Sequence, residues 1–207
     1  MSIFSKLNFK DQAFRLREDA ILDATTTILA GKGFDLMTMD DVANQIGISK
    51  PSLYKHFKSK EDLVGAAMIR LIDGASAQLD SFPETYSAKE KLSALLEWAL
   101  RVRLGGGLPF LPSTSNAVRE MLMRNLKYVG RVIKLNGQLE KLVIKAQKDG
   151  DLDPQLHSDV ILFSYYARSC DPAVDYLQKF SKMDADTIVE NMLRVCFQGL
   201  EKTAAGD

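Results

Sequence analysis

The chain has 207 residues, with 27 basic and 27 acidic side chains, so its formal net charge is zero, and 46% of its residues are hydrophobic. This composition is ordinary for a folded globular protein and excludes a disordered chain. No uncharged apolar run approaches the roughly 18 residues that a membrane span needs, and the first residues do not resemble a signal peptide, so we expect no membrane partner.

The residues that could bind metals or carry out catalysis are few. Two cysteines, Cys170 and Cys196, are too few and too far apart for a disulfide scaffold, which favours reduced thiols in a cytoplasmic protein. His56 and His157 are the two histidines, and no spacing resembles a metal site. No Ser/His/Asp signature, phosphate-binding glycine loop or defensible pair of carboxylates occurs. We therefore expect no enzyme activity, no metal and no cofactor.

The first predicted elements form a compact helical unit. Apolar residues at spacings of three and four predict a helix over 11–31, ended by Gly31 and Gly33, after an N-terminal arm. Thr38 stands where an N-cap belongs, and Asp41 takes the place of Glu in a capping box. A short helix then leads to a turn at Gly47.

A second short helix follows this turn. Ser49 is its predicted N-cap, and Pro51 lies in the first turn, where its missing N–H costs nothing. Leu53 and Phe57 have the spacing of an inward face. Ser59 is the predicted cap of a further helix that runs to about residue 80.

The rest of the chain is also predicted to be helical. Ser87 opens a capping box before a helix that extends to about residue 102. A long pattern, with a possible kink, covers 115–146 and stops at Gly150, and further helices are predicted over 155–169 and 184–200. We expect an all-α protein of about nine helices, with a small N-terminal helical domain over 1–60 and a larger helical domain over 61–207.

The helix, glycine turn and second helix of residues 38–60 have the organisation of a helix-turn-helix unit, whose second helix enters the DNA major groove. Lysine, tyrosine and histidine side chains would contact phosphates, whereas residues at the start of the second helix would lie near base edges. The candidate DNA-binding residues are Thr38, Ser49, Lys50, Pro51, Ser52, Tyr54, Lys55, His56 and Lys60. A solvated basic face remains the alternative for any single lysine.

Residues 14–68 resemble the N-terminal domain of the TetR family of bacterial transcriptional regulators. The shared pattern includes Asp41-Val42-Ala43, then Gly47-Ile48-Ser49, then the run from Leu53 to Leu63. The resemblance implies backbone contacts from Thr38, Tyr54, His56 and Lys60, and contacts at or near base edges from Ser49, Lys50, Pro51 and Ser52. Met39-Asp40 departs from the family, which often has a small or β-branched residue at the first place.

The same resemblance implies that the C-terminal domain binds an inducer and forms a homodimer through its last helices. The candidate interface residues are Val160, Ile161, Phe163, Ser164, Ala167, Ile188, Met192, Val195, Cys196 and Gly199. Candidate ligand contacts are aromatic and methionine residues of the fifth to eighth helices, namely Trp98, Phe110, Met121, Met123, Tyr128 and Tyr165. An ordinary intramolecular core is the alternative for both sets.

These patterns together predict a cytoplasmic regulator that binds a roughly palindromic double-stranded DNA operator as a homodimer. A repressor released by a small, largely apolar effector of unspecified identity is the leading hypothesis. The alternative is a helical DNA-binding module without a small-molecule inducer, which would have a filled C-terminal core.

Overall fold

A computed structural model describes residues 9–108, 116–169 and 171–200. Within these ranges all the regular structure is helical, which confirms the all-α prediction. The helices in chain order are α1 Phe9–Leu36, α2 Met39–Gln45, α3 Lys50–His56, α4 Lys60–Asp80, α5 Ala88–Leu104, α6 Asn116–Met123, α7 Leu126–Lys148, α8 Ser158–Ser169, α9 Ala173–Phe180 and α10 Ala185–Gln198. No helix in the described ranges is both long enough and apolar enough to cross a membrane.

The chain divides into two compact units, residues 1–67 and 68–207. The division lies inside α4, seven residues beyond the boundary at residue 60 that the sequence suggested. Residues 1–8, which include most of the expected N-terminal arm, lie outside the described residues.

The first unit is built on α1, α2 and α3. Ile21 of α1 and Leu53 of α3 are fully buried, and Phe57 is 7% exposed, so the predicted inward face of α3 is confirmed. Gly33 interrupts the helical backbone of α1 with φ 73° and ψ 176°, a conformation that glycine adopts without a Cβ clash. The predicted helix end near Gly31 and Gly33 is therefore a break, after which a short helical turn continues to Leu36.

The second unit is organised around α5. Its buried residues, which include Leu92, Leu95 and Leu100, lie on one broad face, and the helix packs against α7, α8, α9 and α10. The Ser87 capping box is present, since the Ser87 hydroxyl accepts from the Glu90 amide and the Glu90 carboxylate accepts from the Ser87 amide. A helix with this many neighbours needs an apolar face wider than a narrow stripe, and charged residues such as Glu97 and Arg101 lie on its opposite side.

Two regions of the second unit differ from the sequence expectation. The pattern over 115–146 is divided into α6 and α7, because the Asn125 side chain accepts from the amides of Lys127 and Tyr128 and starts a new helix. Helix α9 lies in a segment around Pro172 for which the sequence predicted no helix. It has one buried apolar anchor, Val174, and contacts α5 and α10.

Candidate nucleic-acid interface

The turn between α2 and α3 has the geometry that the sequence predicted. Gly47 has φ 69°, a left-handed value at which a side chain would be strained. The Ile48 amide donates to the Ala43 carbonyl over 3.0 Å, and the Ser49 hydroxyl accepts from the Ser52 amide over 3.4 Å. This turn fixes the start of α3 relative to α2 and leaves Ser49 and Lys50 exposed.

Thr38 and Asp41 form a reciprocal capping box at the start of α2. The Thr38 hydroxyl accepts from the Asp41 amide over 3.1 Å and donates to the Asp41 carboxylate over 2.6 Å. The same carboxylate accepts from the Thr38 amide and pairs with Lys32, each over 2.7 Å. These contacts, led by the Lys32 hydrogen bond, lower the pKa of Asp41 to about 2. The Thr38 hydroxyl proton is therefore already engaged, and a phosphate would have to compete for it.

Lys50, the first residue of α3, is paired across the turn. Its ammonium group lies 2.9 Å from the carboxylate of Asp40 in the first turn of α2. The hydrogen bond that Lys50 donates to Asp40, together with the negative charge of that carboxylate, raises the pKa of Lys50 above its ordinary value. Both side chains are about half exposed, at 50% and 55%, so this cation stays accessible. The partner of this base-edge candidate was not predicted from the sequence.

The solvent-facing side of α3 carries the side chains expected of a DNA-facing helix. Pro51, Tyr54 and Lys55 are exposed, and Ser52 is half-buried. Tyr54 is 43% exposed, so its hydroxyl can donate to a phosphate oxygen without reorganising the core. These four residues of α3 lie on the same surface as Ser49 and Lys50.

His56 differs from the prediction that it faces outward. Its side chain is 2% exposed, and its ring stacks on Phe14 with centroids 4.1 Å apart. Its Nδ1 atom is buried without a hydrogen bond, 3.7 Å from a carboxylate oxygen of Glu18. The ring is buried because α1 covers the C-terminal end of α3. In this structure His56 joins two helices, and it reaches a phosphate only if the ring turns out of this position.

Lys60, at the start of α4, is held by an aromatic ring. Its ammonium group lies 4.2 Å from the centroid of Phe34, a cation–π contact. The Ser59 hydroxyl accepts from the Asp62 amide over 3.1 Å, which confirms the predicted cap beside it. A half-buried lysine in this position can still bind a phosphate.

The partners that hold these side chains were missed by sequence reasoning. Asp40, Phe14, Glu18, Phe34 and Lys32 come from α1 or α2, and no local spacing connects them to the residues that they hold. Only the packing of the helices brings each pair together. The arrangement provides preorganised cations and donors on one face, which suits a polyanionic duplex.

In the second unit a cavity of about 280 Å³ lies among α5, the end of α7, α8 and α10. Its lining is mainly apolar and includes Leu92, Val143, Ile161 and Phe197, together with Tyr165 and Cys196. The Tyr165 hydroxyl donates to the Leu92 carbonyl over 2.9 Å, so the ring is fixed beside the cavity. Burial raises the pKa of the Cys196 thiol, although the nearby Arg168 opposes this.

Only Tyr165 among the predicted ligand contacts lines this cavity. Tyr128 is 8% exposed and Met123 is 58% exposed, whereas Trp98 and Met121 are half-buried. Phe110 lies outside the described residues. Tertiary packing thus brings together residues of α7, α8 and α10 that no single helical pattern marks as a group.

The predicted dimer residues separate into two groups. On α8, Val160 and Phe163 are 57% and 64% exposed, and Ser164 and Ala167 are exposed beside them. On α10, Ile188 and Met192 are 1% and 7% exposed. These two side chains are core residues of the protomer because α10 packs against α5, and they offer almost no surface to a second copy. Among the remaining candidates, Ile161, Val195 and Cys196 are half-buried, and Gly199 is exposed.

A family model described as "Bacterial regulatory proteins, tetR family" matches residues 21–67. Residues 21–67 of this chain are therefore a TetR-family segment. The match covers the second half of α1, the helix-turn-helix unit and the start of α4. It thus includes the candidate DNA-binding surface described above.

Curated relatives share this TetR-family segment. The chain is 32% identical over 82 residues to the transcriptional activator FasR of Mycolicibacterium smegmatis, covering 39% of this chain and 37% of that protein. It is 34% identical over 80 residues to the repressor KstR2 of the same organism, covering 38% and 39%. It is 44% identical over 46 residues to the negative regulator IcaR of Staphylococcus aureus, covering 22% and 25%. The chain thus matches between about a quarter and two fifths of these relatives.

Solved structures extend the similarity beyond the TetR-family segment. The fatty acid degradation regulator FadR from Bacillus halodurans has a TM-score of 0.65 at 17% identity, covering 90% of this chain and 97% of that chain. A TetR/AcrR-family regulator from Thermobifida fusca has a TM-score of 0.59 at 23% identity, covering 90% and 99%. At these identities the similarity shows a shared fold of both units.

Proposed function

We propose that this chain is a homodimeric transcriptional repressor that binds a palindromic DNA operator and is released from it by a small, largely apolar ligand. The observation that carries this proposal is the surface of α3, where Lys50, Tyr54 and Lys55 are exposed beside a left-handed Gly47 turn. Residues 1–60 would form the DNA-binding domain, and residues 61–207 would bind the ligand and the second copy.

The DNA contacts follow from the side-chain chemistry of this surface. Tyr54 and Lys55 would contact phosphates, which positions α3 without reading sequence. Ser49, Lys50, Pro51 and Ser52 stand at the N-terminal end of α3, where side chains reach base edges in the major groove. Two copies would place their α3 helices about 34 Å apart, in successive major grooves.

The exposed apolar residues of α8 support the homodimer. Val160 and Phe163 are large apolar side chains more than half exposed, and the small, exposed residues Ser164 and Ala167 on the same helix allow close helix approach. Exposed apolar patches of this kind commonly mark protein interfaces. In a symmetric dimer the same patch of each copy would face its counterpart.

The cavity beside Tyr165 supports a small apolar ligand. Its volume of about 280 Å³ is close to the lower end of the range for small-molecule sites. Two structural neighbours were solved with acyl-CoA compounds: FadR from Bacillus subtilis with stearoyl-CoA, and AibR with isovaleryl-CoA and operator DNA. Acyl-CoA thioesters are therefore the first compounds to test. A ligand would release DNA only through its different affinity for the DNA-bound and free arrangements.

The experiment is fluorescence anisotropy with a duplex from the region upstream of the chain's own gene. We expect salt-dependent binding that Lys55→Gln weakens and that Lys145→Gln, a matched change on α7, does not. Isovaleryl-CoA and stearoyl-CoA are then added to the complex. An absence of binding to this duplex and to duplexes selected from a random library would refute the DNA-binding proposal. Binding that neither thioester changes would favour the module without an inducer.

A further inference from the structure

Asp40 places a negative charge on the surface that we propose faces DNA. Its carboxylate is 55% exposed and lies 2.9 Å from the Lys50 ammonium group. Asp40 belongs to the first turn of α2, and Lys50 is the first residue of α3, so the ion pair spans the turn of the helix-turn-helix unit. The window from Ser49 to Lys60 has no carboxylate of its own, which makes the position of Asp40 notable.

The ion pair leaves Lys50 with unused hydrogen-bonding capacity. An ammonium group has three N–H donors, and Asp40 occupies one of them. The two that remain match the two acceptors, O6 and N7, that guanine presents in the major groove. Lys50 can therefore contact a base edge while it stays paired with Asp40.

A phosphate contact has different consequences. To reach a phosphate oxygen away from the turn, Lys50 has to leave Asp40, because the carboxylate and the phosphate compete for the same ammonium group. The carboxylate then stands unpaired beside a polyanion, which is electrostatically unfavourable. Such phosphate contacts supply most of the affinity for arbitrary DNA.

We propose that Asp40 is a specificity-determining residue, which directs Lys50 towards a base edge and disfavours its use as a phosphate contact. This inference rests on the proposed DNA-binding function and extends it to a residue outside α3. Asp40 acts by raising the cost of binding the wrong sequence, which is one of the two ways in which a protein discriminates.

The test compares two duplexes: one selected from a random library by the wild-type chain, and one with the same bases scrambled. Removing the charge with Asp40→Asn should tighten binding to the scrambled duplex by about two- to fivefold, the range of a surface ion pair. Binding to the selected duplex should tighten less or weaken. The affinity ratio, which is the affinity for the selected duplex divided by that for the scrambled duplex, therefore falls. The salt slope on the scrambled duplex should steepen by about 0.9, one additional phosphate contact.

Three further variants separate this role from simpler ones. Asp35→Asn removes an equal charge from an exposed position of the same unit and should leave the affinity ratio unchanged. Asp40→Glu keeps a carboxylate within reach of Lys50 and should restore much of the ratio. In a Lys50→Met background, Asp40→Asn should change both affinities by the same factor, because the residue that Asp40 directs is absent. Circular dichroism and melting temperature verify that each variant is folded.

Two results would overturn the inference. The first is that Asp40→Asn leaves the affinity ratio unchanged. The second is that Asp40→Asn lowers the ratio equally in the Lys50→Met background, which would mean that Asp40 acts by its own charge alone. A wild-type chain that prefers no duplex would refute the proposed function together with this inference. A wild-type chain that discriminates, with an Asp40→Asn variant that discriminates equally, would refute this inference alone.

Discussion

The Asp41 carboxylate lies 2.7 Å from the Lys32 ammonium group, and this ion pair joins α1 to the first turn of α2. The same carboxylate accepts hydrogen bonds from the Thr38 amide and hydroxyl. One side chain thus caps α2 and connects it to the preceding helix. The position of α3 depends on that of α2 through the Gly47 turn.

We predict that Asp41 makes the stability of the chain depend on acidity. Its pKa in the folded protein is about 2, below the ordinary value of 3.8. The stabilisation is therefore complete above about pH 4 and is lost as the pH falls through about 2. Thermal unfolding of the wild type and of Asp41→Asn from pH 2 to 6 should show a difference in melting temperature that shrinks at the acidic end. A difference that stays constant over this range would contradict this role, and Asp35→Asn controls for the loss of one exposed carboxylate of the same unit.

Tyr165→Phe should destabilise the second unit by about 0.5–1.5 kcal/mol, because the hydrogen bond from the Tyr165 hydroxyl to the Leu92 carbonyl is lost, while that carbonyl keeps its partner within α5. Tyr165 is 3% exposed, so water does not readily replace the hydroxyl. Urea unfolding measures this change. Tyr176→Phe, at a position 64% exposed, should have almost no effect. Equal unfolding midpoints for the wild type and Tyr165→Phe would show that this hydrogen bond does not contribute to stability.

The Cys196 thiol should react slowly with iodoacetamide at neutral pH. Burial raises its pKa, and only the thiolate reacts, so a rate on the order of tenfold below that of an exposed cysteine is expected. Mass spectrometry of Cys170→Ser isolates this thiol, and Glu190→Cys in a chain lacking both native cysteines provides the exposed control on α10. A compound bound in the adjoining cavity should slow the reaction further. Equal rates at positions 190 and 196 would contradict a buried thiol.

Phe163→Glu should dissociate the proposed dimer. Phe163 is 64% exposed on α8, and a charge there would have to be buried between two copies. Weakening on the order of 2 kcal/mol, roughly thirtyfold in the dissociation constant, is typical of a central interface residue. Sedimentation velocity over a range of concentrations measures it, with Tyr176→Glu on α9 as the matched control. If the dimer persists in Phe163→Glu but dissociates in Tyr176→Glu, the interface would lie on α9 instead of α8.

The local features of this chain could be predicted from sequence because their causes are local. The Thr38 and Ser87 capping boxes each depend on residues three positions apart, and the Gly47 turn depends on the conformational freedom of one residue. The inward positions of Leu53 and Phe57 follow from helical periodicity. Caps, turns and periodicity were sufficient for the all-α class and for recognising the helix-turn-helix unit.

The residues that hold the candidate DNA-binding side chains could not be predicted in this way. His56 has the spacing of an outward residue, yet Phe14 and Glu18 of α1 bury it. Ile188 and Met192 have the pattern of an interface, yet α5 covers them within the protomer.

The sequence by itself thus determined most of the helical segments, although not α9 or the division between α6 and α7, and it determined which helix carries the cations, because caps, turns and periodicity act over a few residues. Tertiary structure alone decided that Lys50 faces Asp40, that His56 is buried and that Tyr165 borders a cavity. Each of these relationships joins residues that are brought together by helix packing, and a single sequence has no local signal for such distances.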